Sequence, residues 1–162
     1  MKLTVLVLED EPDVRNAVET DLEVLTPTVR VEPAEDVEDA HAVMEEIVRD
    51  GDLLAVVLAD HRLPGTTGVE FLVELAADPD TEHVAAVLLT AQADHADTIR
   101  AVNEAGLDYY IAKPWDRGEL VAVVRTLLTD VVAALRLDPL PHLAALDSVR
   151  AMELVKGRTL RG

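Results

Sequence analysis

Apolar residues fall into five short blocks along the chain, and helix-periodic stretches separate them. The strongest block is Leu53 to Leu58, six consecutive apolar residues bounded by polar ones. Such a run predicts a strand buried on both faces. It ends at Ala59-Asp60; Leu63-Pro64-Gly65 then forces a loop, and Gly68 is read as permitting a backbone shape other residues resist. Leu3–Leu8 is a second apolar strand, ending in Glu9-Asp10-Glu11-Pro12. Residues 28–32 alternate, with Val29 and Val31 on one side, as an outer strand does. Val84–Leu89 and Leu107–Ile111 complete the strands.

Between them, apolar residues recur at helical spacing over residues 13–25, 37–48, 69–77, 96–105 and 119–137. Pro27, Gly51, Pro79, Gly106 and Pro139 stand where these helices must stop. Strands and helices alternating five times predict an α/β fold, a parallel sheet with helices on both faces. The doubly wound, flavodoxin-like order 2-1-3-4-5 puts strand 3 at the centre and strand 2 at an edge.

That order brings polar strand ends together. Glu9 and Asp10, Asp60, Thr90 and Lys113 each follow an apolar strand, whereas the second strand runs out into Glu32 and Pro33. Strands lie about 4.8 Å apart, so Asp60 has Asp10 on one side and Thr90 on the other. Lys113 lies about 10 Å away, a gap a long flexible side chain can close. Two carboxylates about 5 Å apart repel by roughly 3 kcal/mol at an effective dielectric near 20. Three in one cleft call for a cation, and oxygen ligands at this density suit Mg²⁺. Bound Mg²⁺ would leave Asp60 a competent nucleophile for phosphoryl transfer, with Lys113 and Thr90 neutralising negative charge.

Composition narrows the classes. The 162 residues suffice for one domain plus a short extension. The formal net charge of -18 argues against nucleic acid and for a cation or a basic protein surface. The absence of cysteine excludes thiol chemistry and thiolate metal sites. No apolar run nears the roughly 18 residues of a membrane span, and the first strand is too short for a signal peptide, so a soluble cytoplasmic protein is expected.

The motifs Val-Leu-Val-Leu-Glu9-Asp10-Glu11-Pro12, Asp60-His-Arg-Leu-Pro64-Gly65-Thr-Thr-Gly68, Leu88-Leu89-Thr90-Ala91 and Tyr110-Ile-Ala-Lys113-Pro114 carry a further signal. In order and spacing, over residues 1 to about 130, the chain resembles a response-regulator receiver domain of two-component signalling. The resemblance implies that Asp60 accepts a phosphoryl group from a sensor histidine kinase or phosphotransfer protein. It implies Mg²⁺ held by Glu9, Asp10, Asp60 and the backbone carbonyl of Arg62, with Thr90 and Lys113 on the phosphoryl oxygens. Tyr110 would be the switch aromatic, moving with Thr90, and the Lys113-Pro114 bond would be cis. Glu9 stands where Asp is commoner, which favours a water-mediated metal contact. Arg62 and Gln92 occupy positions that tune phosphoryl lifetime. On this reading the protein is no enzyme beyond assisting its own phosphotransfer and dephosphorylation.

Two other classes remain open: an interaction module that signals without phosphorylation, and a flavodoxin-like hydrolase with Asp60 as nucleophile. No Gly-rich phosphate loop supports a nucleotide-binding enzyme. His41, His61, His83, His95 and His142 show no ligand spacing and read as surface or loop residues; Trp115 reads as packing at the base of the last long helix. Residues 1–136 read as the receiver unit and 137–162 as a short helical extension. Four cations and three acids make that extension net +1, which leaves -19 for the body. Leu143, Leu146, Val149 and Met152 give it an amphipathic look. Leu127, Val131, Val132 and Leu135 on the last long helix would be partly bare. They are expected to pack on residues 142–155, on a second subunit as a homodimer, or on both.

Overall fold

The two strongest apolar blocks, the first interrupted only by Thr4, lie inside the sheet in the computed structural model, which describes residues 1–91 and 95–161. They are β1 (Leu3–Leu8) and β3 (Leu53–Ala59). β2 (Val29–Ala34) and β5 (Tyr109–Ala112) take the edges, and β4 (Ala85–Thr90) lies between β3 and β5. All five strands are parallel, in the order β2-β1-β3-β4-β5, as the sequence pattern predicts.

Helices α1 (Pro12–Leu22) and α5 (Arg117–Ala134) cover one face. Their Val18, Leu22, Leu120 and Val124 pack on Val5, Val7, Val56 and Leu58. Helices α2 (Val37–Arg49) and α3 (Gly68–Ala77) cover the other, where Ile47, Phe71 and Leu72 meet Leu6, Leu8 and Val57. α4 (His95–Glu104) adds Ala101 to this second cluster. Side-chain caps start α2, α3 and α5: Asp36 accepts from the Asp39 N–H, Thr67 and Glu70 form a capping box, and Asp116 accepts from the Glu119 N–H. Each such cap contributes about 1 kcal/mol.

The element ends differ from the expected ones for local reasons. α1 tightens into a 3₁₀ turn at Glu23–Leu25 before Pro27. β2 runs on to Ala34, whose carbonyl accepts the Glu9 N–H. β5 starts two residues late, because the Leu107 N–H turns back to Ala101 and the Asp108 N–H goes to Ala86. α5 stops at Ala134 because Arg136 adopts φ 55°, and the Leu137 N–H caps the Val132 carbonyl.

The tail continues as a 3₁₀ segment, Leu140–Ala145, and α6, Ser148–Arg161. Ala145, Leu146 and Ala151 join the same cluster as Leu127, Val131 and Val132, so those three are buried within one chain; Leu135, just past the helix, stays exposed. Thr129, wholly buried on α5, donates to the Arg125 carbonyl and accepts the Asp147 N–H at 2.9 Å. Arg150 pairs with Asp130 at 2.7 Å. The expected amphipathic phase is corrected: of Leu143, Leu146, Val149 and Met152 only Leu146 is buried. The 3₁₀ segment breaks the 3.6-residue period. His142 is corrected as well; it is buried at the root of the tail rather than exposed. Burial pulls its pKa down, and the nearby N-terminal ammonium acts in the same direction.

Candidate functional site: an acidic cleft at the strand ends

Strand register builds the site. Leu8 stands opposite Ala59, so Glu9 and Asp10 emerge beside Asp60. The Asp60 N–H donates to the Leu8 carbonyl at 3.0 Å, fixing the junction. Thr90 stands opposite Ala112, so Lys113 leaves the sheet directly above the threonine. The cleft holds about 350 Å³, and Asp10, Asp60, Arg62, Thr90 and Lys113 line it.

The Lys113 ammonium closes the inter-strand gap. It donates to Asp60 Oδ2 at 2.9 Å and to Glu9 Oε2 at 3.0 Å. Glu9 and Asp60 are buried, whereas Asp10 faces solvent. Carboxylate oxygens of Glu9, Asp10 and Asp60 all lie within 4.8 Å of one another. Among the described residues this is the one acidic or histidine cluster able to hold a metal ion, and an all-oxygen donor set suits a hard divalent cation.

Burial and Lys113 act unequally on the two inner acids. Burial pushes the Glu9 carboxyl up to about 7, and its hydrogen bond to Asp60 adds to the rise while Lys113 opposes it. Burial also pushes Asp60 up, but hydrogen bonds from Lys113, Thr90 and Glu9 outweigh it and hold Asp60 below the usual carboxylate range. Burial works against the Lys113 ammonium, yet its two carboxylate partners raise its pKa. The two buried carboxyls are thus driven apart, Glu9 upward and Asp60 downward, with Lys113 across both.

The surrounding backbone is fitted to this. Arg15 on α1 donates to the Glu9 carbonyl at 2.8 Å, and the Arg62 N–H reaches Asp60 Oδ1 at 3.3 Å. The loop after Asp60 corrects one expectation. Gly65 is the residue with a left-handed backbone, at φ 79°. Gly68 is needed for room, since a Cβ there would run into the Asp60 carbonyl. The Lys113-Pro114 peptide is cis. The Tyr110 hydroxyl reaches the Thr90 carbonyl at 3.5 Å, with the ring 36% exposed. Gln92 and the side chain of His95 lie outside the described residues. Sequence reasoning missed Arg15 and the link from Trp115 to Asp21 described below; both are contacts between elements with no local signature.

A doubly wound sheet presenting acids, a threonine and a lysine at this edge defines the class as a flavodoxin-like receiver fold. Comparison with known proteins then gives the family: the response regulator receiver domain profile matches residues 5–125, and the chain belongs to that family. It is 32% identical over 154 residues to the phosphate regulon transcriptional regulatory protein PhoB of Pseudomonas aeruginosa, covering 89% of this chain and 64% of PhoB. It is 34% identical over 122 residues to the hydrogenase transcriptional regulatory protein HoxA of Cupriavidus necator, covering 75% of this chain and 23% of HoxA. The chain therefore spans less than two thirds of these relatives. Among solved structures, a CheY-like response regulator receiver domain protein from Methanospirillum hungatei superposes with a TM-score of 0.71 at 21% identity, covering 83% of this chain and 99% of that one. At that identity the likeness shows the fold alone.

Proposed function

We propose that this chain is a phospho-acceptor receiver of a two-component system or phosphorelay, working with Mg²⁺. The observation that carries the reading is Asp60 buried beside two further carboxylates, with its own oxygen held by Lys113 at 2.9 Å. Glu9 and Asp10 would hold the ion together with Asp60 and the Arg62 carbonyl. When bound, Mg²⁺ supplies neutralisation of the acids and of the incoming phosphoryl oxygens.

The chain's own groups do the rest. An ionised Asp60 oxygen attacks the phosphorus of a phosphohistidine on a sensor kinase or phosphotransfer protein. A P–O bond forms, the P–N bond breaks, and its electron pair returns to the imidazole, which takes up a proton. Lys113 moves from the carboxylate to a phosphoryl oxygen, and the Thr90 hydroxyl donates to another. Both groups already contact Asp60, so little reorganisation is needed. Tyr110, hydrogen-bonded to the Thr90 main chain, would follow that displacement and alter the surface read by a downstream protein.

Loss of the aspartyl phosphate returns the switch to its start, so the chain assists only its own chemistry and is not a turnover enzyme. With a net charge of -18, its partners are read as proteins rather than nucleic acid. Among the described residues no helix is long and apolar enough to cross a membrane. A cytoplasmic setting belongs to the same reading. Incubation with Mg²⁺ and acetyl phosphate tests it by mass spectrometry: one phosphoryl adduct is expected, and it disappears in Asp60→Asn. An adduct undiminished in that variant refutes the assignment.

A further inference from the structure

The loop that carries Lys113 is tied to α1 by a single side chain. Asp21, near the end of α1, accepts the Trp115 indole N–H at 2.7 Å through one oxygen. Its other oxygen accepts from Arg117 Nε at 3.0 Å. Trp115 is one of the four residues that join β5 to α5, beginning with Lys113 itself, and Arg117 opens α5. The Asp21 side chain is 15% exposed and Arg117 69%, so the indole bond is the sheltered half of the pair. The Trp115 ring packs against the α1–α5 core cluster. Beside the Lys113 ammonium's own contacts and the packed ring, the loop has the Asp116 cap and a Lys113 N–H to Thr90 carbonyl bond, long at 3.3 Å. Lys113 has to place its ammonium within hydrogen-bond reach of groups on two other strands, so its backbone must be held from outside the sheet.

We propose that Asp21 is a positioning residue for Lys113: through Trp115 it clasps the β5–α5 loop to α1 and sets where the ammonium stands over Asp60. Its effect on phosphoryl binding rests on the receiver reading above; its effect on Lys113 does not. The tryptophan is then more than core packing, because its ring fills the cluster while its N–H fixes the loop.

The test compares Asp21→Ala, Asp21→Asn and Trp115→Phe in the full chain. The Asn amide oxygen still accepts from the indole, and Phe keeps the ring but removes the donor. Brief acetic anhydride labelling with mass spectrometry reads Lys113, with Lys2 and Lys156, the other lysines, as internal references. Beryllofluoride binding in Mg²⁺ reads the site itself. Asp21→Ala and Trp115→Phe should raise Lys113 labelling about threefold, as release of a local tie does. They should weaken beryllofluoride binding about tenfold, the scale of a lost supporting contact. Asp21→Asn should stay near wild type. In a Lys113→Met background Asp21→Ala should change binding less than about twofold, because its effect passes through the lysine.

Unchanged Lys113 labelling in folded Asp21→Ala and Trp115→Phe overturns the proposal. So does an equal binding loss with Lys113 absent, or an Asn variant as damaged as Ala. Trp115→Phe carries the test alone where Asp21→Ala does not fold. Wild-type protein that binds no beryllofluoride sinks the receiver reading, while the labelling still decides the clasp.

Discussion

Replacing Lys113 by methionine in metal-free protein isolates the electrostatic load of the cleft. The ammonium stands 2.9 Å from Asp60 and 3.0 Å from Glu9. At an effective dielectric of about 20, each contact is an attraction of roughly 5 to 6 kcal/mol, offset by desolvation of all three groups. Removing one partner of such a buried set costs roughly 3 to 5 kcal/mol. The loss should depend on pH. The Glu9 pKa is raised to about 7, chiefly by burial, so the folded state binds more protons than the unfolded between about pH 4.5 and 7. Stability therefore falls as pH rises across that window, by at most about 1.4 kcal/mol per unit. Above 7 the wild type has released this proton and its slope ends. The variant lacks the lysine that lowers both acids, so it keeps a proton to higher pH and goes on losing stability. The destabilisation at pH 8 should exceed that at pH 6, by on the order of 1 kcal/mol. Urea unfolding in EDTA at the two pH values measures it. A loss identical at both, or no loss at either, would refute the argument.

Other consequences follow from single positions. The Thr4 hydroxyl is fully buried in β1 without a hydrogen-bond partner, so Thr4→Val should stabilise the fold by about 1 kcal/mol in chemical denaturation. Gly68→Ala forces a methyl onto the Asp60 carbonyl; the expected cost is about 3 kcal/mol, with Mg²⁺-induced thermal stabilisation reduced beyond what the loss of stability alone explains. Thr129→Val removes the acceptor of the half-buried Asp147 N–H, and about 1 kcal/mol should be lost, with faster amide exchange across residues 145–151 as the local sign of a loosened tail.

What the sequence disclosed is what the strand pattern controls. The apolar runs fix which segments lie side by side, and the parallel topology then fixes that Glu9, Asp10, Asp60, Thr90 and Lys113 share one end of the sheet. Long-range side-chain geometry was not readable in this way. Nothing local says that Glu9 rather than Asp10 turns inward to meet Asp60, nor that Gly68 serves close approach instead of a left-handed turn. Phe71, fully buried on α3 and edge-on to His41, lies on an apolar face broader than one helical stripe, since Val69, Phe71, Leu72 and Leu75 are all buried. His142 looked like a loop residue because a 3₁₀ segment has no strong apolar period. Its burial depends on the tail folding back toward the chain's own N-terminus.

The distribution of burial across the sheet bears on how a proposed phosphoryl group would be sensed. The acids leave β1 and β3, where every residue but Leu53 is buried. Tyr110 lies in β5 and Lys113 directly follows it; β5 is an edge strand with one buried residue in four. Close-packed interiors resist graded deformation, so a group bonded to Asp60, Thr90 and Lys113 together displaces the lightly packed side. Thr90 is the mechanical link, because it is buried at the end of β4 and yet hydrogen-bonded to both Asp60 and, through its carbonyl, Tyr110. The Asp21 clasp sets a boundary on that movement: it ties the loop after β5 to α1, on the face of the sheet that α5 also covers. On the proposed receiver reading, strain arising at Asp60 would be steered toward Tyr110 and the solvent edge, away from α1.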